Sequence, residues 1–321
     1  MTTTLGKGDL TYEVVEGWAK LPDDVFLGDV AGAVVDSKGL IYAFTRGEHP
    51  VVVFDRDGNF QTSWGHGVFS STHGIAIGPD DSIYTTDTQD HVVRKFTTEG
   101  ELLQTIGSPA GLFSGDPLCR PCHLAISPVS GDLFVADGYG NSRVHRFSPE
   151  GKLIYSWGEA GAQEGQFVVP HNIVVDEDEK VFVADRENHR VQVFTAKGEF
   201  LAVWPGIWRA AGLDMDSHGN VYVAEMPPPA YLMEAPNVGH AVRVYDKKGN
   251  LKTRFGDPLP GEESGKFTAP HGIAVDSYGD LYVCEMPDNN MGAAWMEAAS
   301  ANRKPGQGKE VRTLVKLARK R

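Results

Sequence analysis

Residues 167–204 read Phe167-Val-Val-Pro-His171-Asn-Ile-Val-Val-Asp176, a short turn, Val181-Phe-Val-Ala-Asp185-Arg186-Glu-Asn-His-Arg190-Val-Gln-Val-Phe194, a second turn, and Gly198-Glu-Phe-Leu-Ala-Val-Trp204. Each apolar run is short, alternating or β-branched, and bounded by Gly, Asp, Asn or Lys, which are strand and hairpin signals. Four strands in one unit is the content of a propeller blade. The unit recurs five times. Its second strand returns as Ile41–Arg46, Ile83–Asp87, Leu133–Asp137, Val221–Glu225 and Leu281–Glu285, and its closing strand as Ser63-Trp-Gly65, Thr105-Ile-Gly107, Ser156-Trp-Gly158 and Arg254-Phe-Gly256. A period of about 40 to 50 residues is the propeller spacing. The sequence predicts an all-β fold, a six-bladed β-propeller with blades near 28–65, 69–107, 118–158, 167–204, 207–256 and 267–321.

The last unit resumes after a long insertion with Val311–Leu317 and lacks a fourth strand. Tyr12–Trp18 resembles a closing strand, so residues 11–18 are expected to complete that blade and cover an otherwise open edge. One domain spanning 1–321 is the expectation. Insertions at Met226–His240 and Met286–Gly308 both follow a second strand, and are expected to project from one face, where the latter segment is a candidate lid.

Aligned inner strands put one residue of each blade on a common rung: Ala31, His73, Cys122, His171, Ala211 and His271. The histidines are separated by 98 and 100 residues, two blades each. Alternate blades of six stand about 120° apart, so three imidazoles converge from three sides. A turn-capping habit would mark every blade, whereas Ala31 and Ala211 are small. Three histidines with open positions are the pattern of a catalytic zinc site, and imidazole also suits iron and other divalent transition metals. Cys122 shares the rung as a fourth ligand, a neighbour of the ligands, or a buried free thiol.

Composition limits the partners. The 321 residues carry 30 Lys and Arg against 43 Asp and Glu, a net charge of −13, which argues against nucleic acid as a partner. No apolar run has the roughly 20 residues that span a bilayer, and the N-terminus lacks a secretory pattern, so a cytoplasmic location and no membrane association are expected. Three cysteines, Cys119, Cys122 and Cys284, do not suggest a disulfide framework. Cys119-Arg-Pro-Cys122 has C-x-x-C spacing without a surrounding βαβ pattern or a second pair.

Three segments carry a family resemblance. Asp185–Phe194 is similar to the general NHL-repeat signature. Phe134-Val-Ala-Asp-Gly-Tyr139-Gly-Asn-Ser-Arg-Val-His-Arg-Phe-Ser-Pro-Glu-Gly151 and Thr45-Arg46-Gly-Glu-His49 resemble peptidyl-α-hydroxyglycine α-amidating lyases, as do the positions of the three histidines, over roughly residues 20 to 285. The resemblance implies zinc on His73, His171 and His271, arginines around the substrate at Arg46 and Arg186, and an acid–base tyrosine at Tyr139. It implies cleavage of a carbinolamide into an amide and an aldehyde acid such as glyoxylate. Ala269 stands where the family has a methionine and alters a wall of the pocket, with Cys122 as a further substrate neighbour. The family's calcium-binding carboxylate is Gly272 here, which speaks against calcium, and a family cysteine is Gly140. The expectation is a small-molecule substrate different from the family's peptide. A hydratase or lactonase on the same histidines, and a non-catalytic interaction propeller, remain as alternatives.

Overall fold

The computed structural model describes residues 3–109, 117–229, 232, 235–291 and 312–320. Alternating and β-branched runs become strands wherever the sequence shows them. In blade order they are β1 Thr4–Lys7 and β2 Leu10–Val15; β3 Val30–Val35, β4 Ile41–Thr45, β5 Val51–Phe54 and β6 Phe60–Trp64; β7 Thr72–Ile77, β8 Ile83–Asp87, β9 Val92–Phe96 and β10 Leu102–Gly107. There follow β11 His123–Ile126, β12 Leu133–Asp137, β13 Arg143–Phe147 and β14 Leu153–Trp157; β15 Pro170–Val175, β16 Lys180–Asp185, β17 Arg190–Thr195 and β18 Phe200–Pro205. The remainder are β19 Ala210–Met215, β20 Asn220–Glu225, β21 Ala241–Asp246 and β22 Leu251–Phe255; β23 Pro270–Val275, β24 Leu281–Glu285 and β25 Leu314–Arg319. They form five four-stranded sheets and one five-stranded sheet, each with its strands in sequential antiparallel order, apart from the strands contributed by the N-terminus. The fold class is the six-bladed β-propeller.

Residues 1–63 with 214–321 form one compact unit, and 64–213 a second. In the first, β2 pairs with β25 in the register Tyr12↔Arg319 to Val15↔Lys316, so the N-terminal strand does complete the last blade. Three details differ from the sequence reading. The strand ends at Val15 because Gly17 takes φ +61° and turns the chain, and a further strand, β1, folds back on β2 as a hairpin. The third strand of that blade lies at Leu314–Arg319 rather than 311–317. Most of the insertion before it lies outside the described residues, as does part of the insertion after Glu225. The described part after Met286 starts with one helical turn, α1 Pro287–Asn290. No helix among the described residues is long and apolar enough to cross a membrane.

Each unit is held by apolar sheet faces pressed together. In the second unit Phe134, Ala136 and Val144 pack on Phe167, Ile173, Val183 and Phe194 of the next blade. In the first, Tyr222, Val242 and Val244 pack on Ile273, Leu281 and Val315. Two repeated acidic positions are explained by backbone bonding. Asp36, Asp176, Asp216 and Asp276 each accept N–H groups two and four residues on, which closes the turn after the inner strand. The acid ending the second strand ties down the segment that enters its own blade. Asp87 accepts from Ser70 and Ser71, Asp137 from Cys119, Asp185 from Val168, and Glu285 from Thr268 and Ala269. A buried carboxylate satisfied by backbone donors fixes where the inner strand begins, and hence where its rung residue sits.

Candidate metal centre and active site

The rung residues alternate in chemistry for a reason visible in the hydrogen bonds. His73 directs Nδ1 at the Cys122 carbonyl oxygen, 2.7 Å away. His171 directs Nδ1 at the Ala211 oxygen at 2.8 Å, and His271 at the Ala31 oxygen at 2.7 Å. Each histidine-bearing blade is thus answered by a carbonyl from the rung of the following blade. A carbonyl oxygen only accepts, so Nδ1 of each ring carries a proton, and the neutral ring keeps its lone pair on Nε2. The residue behind the ring matters as well. A Cβ on Gly74 would stand 2.5 Å from the Cys122 oxygen, and one on Gly272 2.7 Å from the Ala31 oxygen, so the His-Gly pair admits the carbonyl that orients the ring. His171 is followed by Asn172 and makes the same bond without a glycine.

All three rings are buried. An imidazole whose Nδ1 is anchored to backbone oxygen has the supporting contact that metal-ligating histidines commonly have. Gly272 offers no side-chain oxygen for calcium.

Tyr139 follows β12 and brings its hydroxyl to 3.0 Å from His73 Nε2 and 3.2 Å from His171 Nε2. Arg186, in the 3-10 turn after β16, donates to the same hydroxyl from Nη1 at 3.0 Å. Its Nε donates to Glu187 at 2.7 Å, and Arg209 grips Glu187 from the other side at 2.9 Å. Burial works against the Arg186 charge, but Tyr139 and Glu187 outweigh it and hold the guanidinium above the usual arginine range. Burial likewise pushes Glu187 up, while the two guanidiniums pull it down, with the net shift downward. Arg186 thus pairs with the adjacent Glu187, which Arg209 also holds, and the same guanidinium donates to the candidate acid–base group.

The other expected residues are placed as follows. Arg46 lies in the turn after β4 with an exposed side chain, and its N–H donates to the Asp29 carbonyl at 2.8 Å. The Cys122 side chain is fully buried, its thiol pushed up to about 12 mainly by burial, and what it offers His73 is its backbone oxygen. Ala269 is buried, with its N–H on Glu285. Sequence reasoning missed Glu187 as the orienting group of Arg186. The signal was present in the difference between Arg186-Glu187 and the matching Thr88-Gln89 of the second blade.

The NHL repeat family matches residues 167–194. Peptidyl-glycine alpha-amidating monooxygenase B of Xenopus laevis is 31% identical over 304 residues, 84% of this chain and 34% of the relative. Peptidyl-alpha-hydroxyglycine alpha-amidating lyase 1 of Drosophila melanogaster is 31% identical over 250 residues, 71% of this chain and 45% of the relative. This chain is an NHL-repeat protein resembling the amidating lyases. It spans about a third of the length of the Xenopus relative. A streptogramin B lyase structure matches with a TM-score of 0.61 at 12% identity, covering 92% of this chain and 94% of that one, a likeness of fold.

Proposed function

We propose that the chain is a metal-dependent lyase that cleaves a small carbinolamide, an N-acyl hemiaminal bearing a carboxylate, into an amide and an aldehyde acid. The observation that carries this reading is the Tyr139 hydroxyl held between His73 Nε2, His171 Nε2 and Arg186 Nη1. His73, His171 and His271 would hold one divalent transition metal, zinc first among the candidates. A bound ion would supply Lewis acidity, lowering the pKa of a hydroxyl at the site.

The chain's own residues do the rest. The Arg186 guanidinium donates to Tyr139 and stabilises its phenolate, which suits it to take a proton. Tyr139 removes the proton of the substrate hydroxyl. The carbon–oxygen bond becomes a carbonyl, the carbon–nitrogen bond breaks, and its electron pair goes to the nitrogen. The same proton passes from Tyr139 to that nitrogen, giving the neutral amide. No oxidant or water is consumed.

The test is metal analysis of the purified protein beside His73→Ala, His171→Ala and His271→Ala, with glyoxylate release from an N-acyl-α-hydroxyglycine as the activity. About one equivalent of metal, lost in each variant while cooperative unfolding persists, is expected. Tyr139→Phe should keep the metal and lose turnover by about 10²- to 10⁴-fold, the usual range for an acid–base group. Metal-free protein, or metal indifferent to the three histidines, rejects the reading.

A further inference from the structure

The Cys119-Arg-Pro-Cys122 motif holds an arginine that the reaction above does not use. Arg120 adopts φ +65°, a left-handed conformation that is uncommon for a residue with a side chain. Its N–H donates to His91 Nδ1 at 3.0 Å. The same device recurs two blades on, where Arg209, at φ +36°, donates its N–H to His189 Nδ1 at 3.0 Å. Each arginine stands two residues before its rung position, Cys122 or Ala211.

The two guanidiniums have different fates. That of Arg209 is engaged by Glu187 at 2.9 Å. The position matching Glu187 in the second blade is Gln89, which carries no charge, and the neighbouring Asp90 is taken by Arg94. Among the described residues no ion pair involves Arg120. Its side chain is exposed, and its guanidinium carbon lies 5.6 Å from the centroid of the Tyr139 ring. The Arg186 guanidinium carbon lies 5.3 Å from that same centroid. A guanidinium without an ion pair among the described residues thus stands beside the phenol that touches two of the candidate metal ligands.

We propose that Arg120 binds the carboxylate of the substrate and makes the site selective for anionic hydroxy compounds. This rests on the lyase reading for the identity of the substrate, but not for the existence of the anion site. A guanidinium presents a planar fork that matches a carboxylate, and one already neutralised by a glutamate would not serve. Of the two equivalent arginines, the one next to Tyr139 is the one without an ion pair among the described residues.

The experiment titrates the metal-loaded protein with glycolate and with its uncharged counterpart glycolamide by calorimetry, in wild type, Arg120→Gln and Gln89→Glu. Gln89→Glu rebuilds at Arg120 the pairing seen at Arg209, and it tests the idea even if Arg120→Gln folds poorly. Wild type should bind glycolate at least about tenfold more tightly than glycolamide, as expected for hydrogen bonds to a charged partner. Both variants should lose that preference and leave glycolamide binding unchanged. Absence of the preference in wild type, its survival in both variants, or equal weakening of both ligands would overturn the proposal. The last result would make Arg120 a structural support for Tyr139. If glyoxylate release fails while an Arg120-dependent preference for glycolate persists, the lyase reading falls and the anion site stands.

Discussion

Within the repeat, the inner strands β7, β15 and β23 carry imidazoles on their rung, whereas β3, β19 and the residue just before β11 carry small or thiol side chains. The second set is no less a part of the site. Ala31, Cys122 and Ala211 each present a carbonyl to the ring of the preceding blade, and by accepting from Nδ1 they set the tautomer of all three histidines. One set contributes side-chain chemistry and the other backbone chemistry. The lesson is that a rung residue can matter through its oxygen while its side chain is free to vary.

That division can be attacked at Gly74. Gly74→Ala drives a Cβ toward the Cys122 oxygen, now 2.5 Å from where it would stand, and should lower metal affinity by about ten- to a hundredfold, the scale of lost supporting contacts. Asn172→Ala, behind the ring that needs no glycine, should stay within about threefold of wild type. Competition against a chelating dye measures both, and equal effects would break the comparison.

A second test uses Asp214 on β19, which stands at a strand position held by Val34, Ala76, Ala125, Val174 and Ala274 in the other blades. Burial pushes its carboxyl up to about 7, against the pull of the Val275 and Met215 N–H groups. A folded-state pKa above the unfolded value means that the group's contribution to stability declines as pH rises from about 4 to about 7, and is constant beyond. Whatever constant offset Asp214→Asn introduces, the Tm difference should move in favour of the Asn variant by several degrees between pH 4 and pH 8. A difference independent of pH would show that the carboxyl does not titrate in that window.

The smallest effect is expected at Cys122 itself. Cys122→Ala keeps the carbonyl, so metal content should be unchanged and stability should fall by about 1 kcal/mol, the scale of a small buried group. With its thiol raised to about 12 and fully buried, Cys122 in the native protein should resist alkylation at neutral pH, as mass spectrometry can show. A large loss of metal in this variant would return the thiol to the list of ligands.

The blades and the rung histidines were legible because both follow from period and alternation, which sequence displays directly. Tyr139 was reached through family resemblance, since nothing in its spacing marks it. The three carbonyl acceptors were not legible, because a backbone oxygen has no letter of its own and each partner lies in the next blade. Arg120 was hidden by its setting, as C-x-x-C spacing draws the eye to the sulfurs. Glu187 looked like an ordinary member of the repeat signature until Gln89 supplied the contrast. The hairpin partner β1 was missed because Thr4–Lys7 is mostly polar and lies on the exposed edge of its sheet.

The pairing of β2 with β25 has a consequence for how the protein is made. Tyr12 leaves the ribosome about three hundred residues ahead of its partner Arg319. At elongation rates of about 5–20 residues per second, β2 waits some fifteen to sixty seconds without its neighbour. Throughout that interval the edge of β2 that will receive β25 stays unpaired in the nascent chain.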